Sequence, residues 1–594
     1  MTVPRPRVPA WLLVGGAFYA VFIARTRFLV GGESHFSLFD DAMVSMRYAR
    51  NIADGLGPVW NPGDAPIEGF TNPLWTLWMA LLHAAGLPES KVSLAVTVSG
   101  ACLLVLTAWL AGRLARRLAP DARPAELASA WAVALCYPLV FWTLRGMEVG
   151  LLAALTAAAA LALSHHERSP SAAALAGAAL LLAVLPLVRP DGAVPAVALA
   201  GGLLLPGSRR ERLRAPLLLL LAVAASVAGA TAVRVAVFGD PLPNTYYLKM
   251  TGIPTPERLG RGASMMVSLL AIQLWPLVLL ALANGRQLLR RPLAPLTLVV
   301  AGQLAYSVWV GGDAWEWMRY ANRYVSVALP LLVVLAVLGA ARARASVPAA
   351  RRLLAVGGLG GGSLLAVLAA SVCFGFGWQP SFFQREPVFR WAVAGLGLAG
   401  SGLLCGVGAA AALRTGRLRT AMDERLRRLA TWSDPRFAAV LTLVLLVWLS
   451  GPGLAHWALT RGVHVQDDAV MTRIGIRLRE STDPDASIAV TWAGAIPYFA
   501  HRRAIDVLGK SDRMIAHQAG RGGFYPGHNK WDYEYSIGEL RPDVIVQLHT
   551  TTPDDLRMLT AWGYLQMGNA MYLREGTRLV DRTALEQPIA TTIP

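Results

Sequence analysis

Residues 39–75 read FDDAMVSMRYARNIADGLGPVWNPGDAPIEGFTNPLW. The stretch is polar, charged and rich in turn residues, yet it lies between strongly apolar segments. A connector beside a membrane needs only a few polar residues to turn. This one holds the acidic pair Asp40 and Asp41, the cations Arg47 and Arg50, Pro-Gly type turns, and several amide and aromatic side chains. A ligand site explains that investment better, with Asp40 and Asp41 as the catalytic candidates and Arg47, Glu68 and Asn72 as contacts. The plain alternative is that two acids opening a helix-like stretch (Ala42–Ala53) cap it and interact with its dipole. Adjacent carboxylates also repel, which raises one pKa toward the range of a base, or they share a divalent cation.

The flanking segments decide the fold class. Of 594 residues, 55% are apolar, and mean hydropathy is +0.46. Apolar runs recur at the length that crosses a bilayer, about 20 residues for a helix. A spanning chain satisfies its backbone internally, so the fold expected is a polytopic α-helical membrane protein. The formal charge of +18 would suggest nucleic acid in a soluble protein. Here the excess Arg lies in short loops between apolar runs, which is the positive-inside pattern, and no nucleic-acid partner is expected. The four cysteines (Cys102, Cys136, Cys373, Cys405) lie in or beside apolar segments without metal-ligand spacing.

The arginines set a topology. Helix 1 is expected over residues 11–30, with the N-terminus cytoplasmic and left in place rather than cleaved. Residues 73–87 look too short to span and are placed in the outer interface. Runs near 91–112, 126–143, 148–164, 171–188, 191–206, 215–237, 263–284, 293–310, 323–340, 353–375, 391–413 and 437–458 follow, giving about thirteen spans. This divides the chain into a membrane domain, 1–458, whose first external loop is 31–72, and an extracytoplasmic α/β domain, 459–594. In the latter, Ser487–Trp492 and Asp543–Leu548 read as buried strands, and Asp467–Arg479 and Pro553–Trp562 as amphipathic helices. The location expected is the inner (cytoplasmic) membrane.

On this topology the dense polar constellations converge on one side. Arg189–Pro190–Asp191–Gly192 breaks an apolar run and reads as a phosphate contact or a plain connector. Residues 239–249 carry turn chemistry, with Asp240, Asn244, Tyr247 and Lys249 as candidates for sugar and phosphate. Gly311–Gly312–Asp313 precedes Trp317, Arg319 and Arg323. Aromatic faces stack on sugars, and Arg binds phosphate as a fork. His528 is the candidate in the C-terminal region.

These motifs together resemble a known group. DDAMVSMRYARNIADGLGPVWNPGDAPIEGFTNPLW, GMEVGLL, VRPDG, FGDPLPNTYY, VGGD and AIPYFAHRRAIDVLGKSDRMIAH are similar to the GT-C superfamily of integral-membrane glycosyltransferases. Within it they resemble the bacterial group that contains the mycobacterial terminal β-(1→2)-arabinofuranosyltransferase. The resemblance maps the acidic pair onto Asp40 and Asp41 and the Gly-Gly-Asp loop onto Asp313. The family's histidine after that loop has no counterpart here, where Glu316 and then Arg319 stand. It implies a polyprenyl-phosphate-linked sugar donor, an envelope glycan or glycolipid acceptor, and one inverting displacement. No cofactor is required, and a divalent cation at Asp40 and Asp41 is optional. Membrane lipids are the remaining partner. The rival expectation is a transporter or flippase for a lipid-linked sugar. That reading predicts mid-bilayer ionisable residues and two related halves; the sequence displays neither repeat halves nor a mid-helix carboxylate.

Overall fold

The computed structural model describes residues 8–119, 123–205, 213–316, 321–374, 387–413, 415–430, 434–460, 464–568, 570–587 and 591–592. Helices dominate. Five are long and apolar enough to cross a membrane: Glu89–Leu118, Val149–Arg168, Arg214–Phe238, Thr255–Leu282 and Pro435–Leu459. Counting two bent pairs as single spans gives seven among the described residues. Several of the thirteen expected runs fold as bent or shorter helices, and the reasons are local. The run near 126–143 breaks into Arg123–Ala134 and Tyr137–Leu144, bent by 46°, just before Pro138, which cannot donate to the helix ladder. The runs near 171–188 and 293–310 fold as the apolar helices Ala172–Val188 and Ala294–Trp309, of 17 and 16 residues, at the short end of what crosses a bilayer. The run near 191–206 shrinks to Ala193–Gly202 after a 3-10 turn at Pro190–Gly192.

The first helix also ends early. Ala10–Arg25 is helical, but Arg27–Val30 pairs antiparallel with Glu33–Phe36 as a hairpin. Its outer arginine is accommodated by contact: the Arg25 guanidinium lies 4.5 Å from the Trp457 ring centre and donates to the Ala458 carbonyl at 3.1 Å. Thr591–Thr592 adds to the same hairpin, so residues near both ends of the chain share one small sheet.

A second sheet forms from the C-terminal residues. Its strand order is Arg503–Asp506, Ser487–Val490, Val544–Ile545, Tyr572–Arg574, Tyr564–Gln566. The first three are parallel and the last two join antiparallel. Val465–Ser481 and Pro553–Ala561 are helical, the latter opened by a capping box between Thr552 and Asp555.

The first loop is locked to this sheet by Arg47. The residue is buried in the Asp40–Ala53 helix. Its guanidinium donates to the carbonyls of Trp60 (2.6 Å), Pro497 (2.7 Å) and Arg502 (2.9 Å), and to Asn61 Oδ1 (2.7 Å). Arg47, expected at the ligand, is therefore a joint between the two regions. Its partners are neutral acceptors, and five fixed donors suit that task.

Candidate active site

Asp40 and Asp41 open the Asp40–Ala53 helix, whose N-cap is Phe39. No side chain caps that helix end, so the capping explanation of the pair fails. The helix dipole still favours carboxylates there, and the two side chains diverge to different partners.

Asp41 is saturated with cations. Its Oδ1 accepts from Lys510 Nζ at 2.7 Å and its Oδ2 from Arg323 Nη1 at 2.9 Å. Burial alone would raise its pKa, but Lys510, Arg323 and Lys249 hold the carboxyl well below the usual range. Asp40 is 7% exposed and has no cation in contact. Its Oδ1 accepts the Ala495 N–H at 3.0 Å, and its Oδ2 bonds to none of the described residues. Burial pushes the Asp40 carboxyl up to about 6, and Lys510 opposes the rise. One acid is thus fixed as an anion while its neighbour is tuned near neutrality, a separation that assigns different roles to paired carboxylates.

Gly494 makes room for Asp40. A Cβ there would meet the Asp40 main-chain oxygen and lie 2.5 Å from Oδ1. Gly494→Ala is expected to shift the carboxylate and lower kcat roughly 10- to 100-fold, since a displacement of about 1 Å can cost that much. Unchanged turnover would show that the position of Asp40 is not critical.

The cations come from three parts of the chain. Arg323 forks onto Asp313, with Nη2 to Oδ1 at 2.9 Å and Nε to Oδ2 at 3.0 Å. Lys510 sits on a tied loop: Asp506 accepts the N–H groups of Leu508, Gly509 and Ser511. The Asn244 amide donates to the carbonyls of Gly509 (2.9 Å), Lys510 (2.9 Å) and Asp512 (3.1 Å). Asn244 is thereby spent on placing Lys510. Lys249 differs from both cations. Its ammonium makes no hydrogen bond or ion pair with any described residue, although it lines one cleft with Asp41, Asp313, Arg323, Lys510 and His528. Burial, aided by Arg323, pushes it down to about 8.

A cavity of about 200 Å³ opens over the acidic pair. Trp315, Trp492, Tyr525, His464, His528 and His549 line it with Asp40, Asp41 and Lys510. Burial pushes the His528 imidazole down to about 3, which keeps it neutral. Among the described residues no group of three His, Cys, Asp or Glu is arranged to hold a metal ion. Asp41 already faces two bonded cations, which disfavours adding a divalent one.

Several expected contacts are bonded within the chain. Arg189 is buried between Glu148 (2.6 Å) and Asp191 (2.7 Å). Glu68 pairs with Arg234. Asn72 bridges Ser45 and Glu148, both at 2.8 Å. Asp240 pairs with Arg513, and Tyr247 stacks on His517 with ring centres 4.2 Å apart. Each of these charges is neutralised internally, and no signal in the local sequence distinguishes that from a free charge. Trp317 and Arg319 lie outside the described residues. The main residue the sequence reading missed is Lys510, a lone lysine in Leu508–Gly509–Lys510–Ser511–Asp512.

With this geometry in hand, the relatives are informative. The ArnT of Cupriavidus metallidurans bound to undecaprenyl phosphate superposes with a TM-score of 0.50 at 14% identity, over 97% of this chain and 100% of that one. The chain shares the fold of that ArnT. The arabinosyltransferase EmbB of Mycobacterium smegmatis is matched at 16% identity and a TM-score of 0.37, over 77% of this chain and 42% of that one. The oligosaccharyltransferase AglB of Archaeoglobus fulgidus, solved with an inhibitory peptide and a dolichol-phosphate, is matched at 12% identity and a TM-score of 0.41, over 90% and 69%. Residues 458–583 match a family described as a domain of unknown function (DUF8728). No curated protein matches the sequence significantly.

Proposed function

We propose that this chain is a membrane glycosyltransferase. It moves a sugar from a polyprenyl-phosphate donor to a hydroxyl of an envelope glycan or glycolipid, on the external face, by one inverting displacement. The observation that carries this reading is the division of the acidic pair: Asp41 clamped by Lys510 and Arg323, Asp40 tuned to about 6. The lipid phosphate bound by the ArnT of the same fold supports the donor class. Arabinofuranose is the candidate sugar, on the resemblance of the first-loop motif. In the same reading residues 459–594 form the extracytoplasmic domain and supply Lys510 and, with Trp315 from the membrane domain, the aromatic wall.

The chemistry follows from the charges. The acceptor O–H gives its proton to Asp40 Oδ2 as its oxygen bonds to the anomeric carbon. The bond from that carbon to the phosphate oxygen breaks, and polyprenyl phosphate leaves with the electron pair. Lys249, with its ammonium unengaged, receives the growing negative charge, and Lys510 and Arg323 extend the positive field. Asp41 holds those two cations in place and is not the base, because its proton affinity is too low. The aromatic wall supplies stacking faces for a sugar ring. No step requires a metal.

Lys249→Gln is expected to weaken donor use by roughly 10- to 100-fold in kcat/KM, as loss of a charge-assisted contact to phosphate does. The fold should be unaffected, since the ammonium makes no hydrogen bond or ion pair with any described residue. Unaltered kcat/KM would remove Lys249 from the donor site. The function itself is tested with purified protein and polyprenyl-phosphate donors carrying arabinose or a hexose. Transfer of either sugar supports the enzyme. Donor binding without transfer, under acceptor excess, would leave a carrier instead.

A further inference from the structure

The other end of the bundle carries a cavity that the transfer reaction does not use. Its volume is about 720 Å³, against about 200 Å³ at the acidic pair. It is walled by the ends of two spanning helices, Glu89–Leu118 and Val149–Arg168, and by the first turn of a third, Arg214–Phe238. The first of these has 30 residues and so runs about 45 Å. Its Glu89 end contacts Arg50 and His501 beside the first loop. Its Arg117 end lines this cavity, a bilayer's thickness away.

The lining is cationic. Among the described residues the lining holds Arg117, Arg168, Arg291 and one carboxylate, Glu167, which lies 3.6 Å from Arg291. Ser164 and His166 add polar atoms. Arg117 makes no hydrogen bond or ion pair with any described residue, and its Nε is buried. Arginines that only mark membrane orientation extend into water or to headgroups; a guanidinium with a sequestered, unbonded donor in a roomy cavity is arranged differently. Leu118, Leu203 and Pro216 supply an apolar side.

We propose that this cavity is an anion site for a phosphate group, on a phospholipid headgroup or as a free phosphate. Among the described lining residues three guanidiniums stand against one carboxylate, which favours negative charge, and the guanidinium fork matches phosphate oxygens. Basic pockets between membrane helices bind anionic headgroups in this manner. The proposal is independent of the glycosyl-transfer reading.

The test uses the full chain, purified in neutral detergent and examined by native mass spectrometry. Cardiolipin, phosphatidylglycerol and phosphatidylcholine are added in separate arms, with inorganic pyrophosphate in a fourth. The expected result is retention of an anionic ligand at least 10-fold above phosphatidylcholine. Retention of lipid alone identifies a headgroup site, and competition by pyrophosphate identifies a free-phosphate site. Arg117→Gln removes a donor, and Ala215→Phe fills the space while leaving the charges. Both should bring retention down to the phosphatidylcholine level, with an unchanged elution profile as the check on folding. Undiminished retention in either folded variant, or equal retention of all ligands by the unaltered chain, overturns the site.

Discussion

Asp40→Asn is expected to lower turnover by roughly 10²- to 10⁴-fold, the range contributed by a positioned general base, without loss of folded protein. The Asn Oδ1 still accepts the Ala495 N–H that Asp40 accepts at 3.0 Å, so the local geometry survives. The effect on stability has the opposite sign to that on rate. The carboxyl is raised to about 6 in the folded chain, above its unfolded value. The folded state therefore binds more protons between those values, and stability falls as pH rises through 6. A neutral Asn escapes this loss, a gain of up to roughly 3 kcal/mol at pH 7 for a shift of about two pKa units. The rate of the unaltered enzyme should fall as pH drops below about 6, because the base must be unprotonated. Asp41→Asn should behave differently. It removes the anion between Lys510 and Arg323, and it should lose both stability and activity. A pH–rate profile and melting curve for each variant separate the two acids. Equal rates in the Asp40 variant and the unaltered chain would sink the assignment of the base.

The acidic pair was legible because carboxylates at a membrane boundary, among turn residues and between apolar runs, have few cheap explanations. Asp313 and Arg323 were legible for a related reason, as charges following a Gly-Gly turn. Lys510 was not. It lies 469 residues from Asp41, is one of several charges in Arg502–Arg513 with nothing local to single it out, and acquires its role only when Asn244 and Asp506 fix its loop. Residue type alone carried less. Arg47, Glu68, Asn72, Arg189, Asn244 and Asp240 have the chemistry of ligand contacts, and the folded chain uses each to bond itself. Burial with a partner is a property of distant sequence: Glu148, which neutralises Arg189, also accepts from Asn72, across three separate segments. Hydropathy likewise reports which residues avoid water but not where a helix stops. The break after Ala134 and the early end at Arg25 are set by Pro138 and by pairing with Glu33–Phe36, which an apolar average does not register.

Arg323→Met is expected to destabilise the protein by on the order of 3–5 kcal/mol, the cost of leaving a buried charge without its partner. The side chain of Asp313 has no exposure. It takes three hydrogen-bonding contacts from the Arg323 guanidinium in addition to the Arg323 main-chain N–H at 3.0 Å. Met fills comparable space but offers no donor, so Asp313 must either stay charged in a dry site or take up a proton. Asp41 suffers less, because Lys510 remains at 2.7 Å. A partner exchange separates the two contributions. Asp313→Leu combined with Arg323→Met removes the stranded carboxylate and should recover much of the lost stability, since well-packed apolar replacements of a buried pair are often neutral. It should not recover activity, because Asp41 still lacks one of its two bonded cations and the phosphate field is weakened. Thermal unfolding in detergent, with transfer measured on the same samples, distinguishes the cases. A single Arg323→Met variant that melts with the unaltered protein would show that Asp313 has a second source of compensation. A double variant that regains transfer would show that Arg323 serves the fold alone.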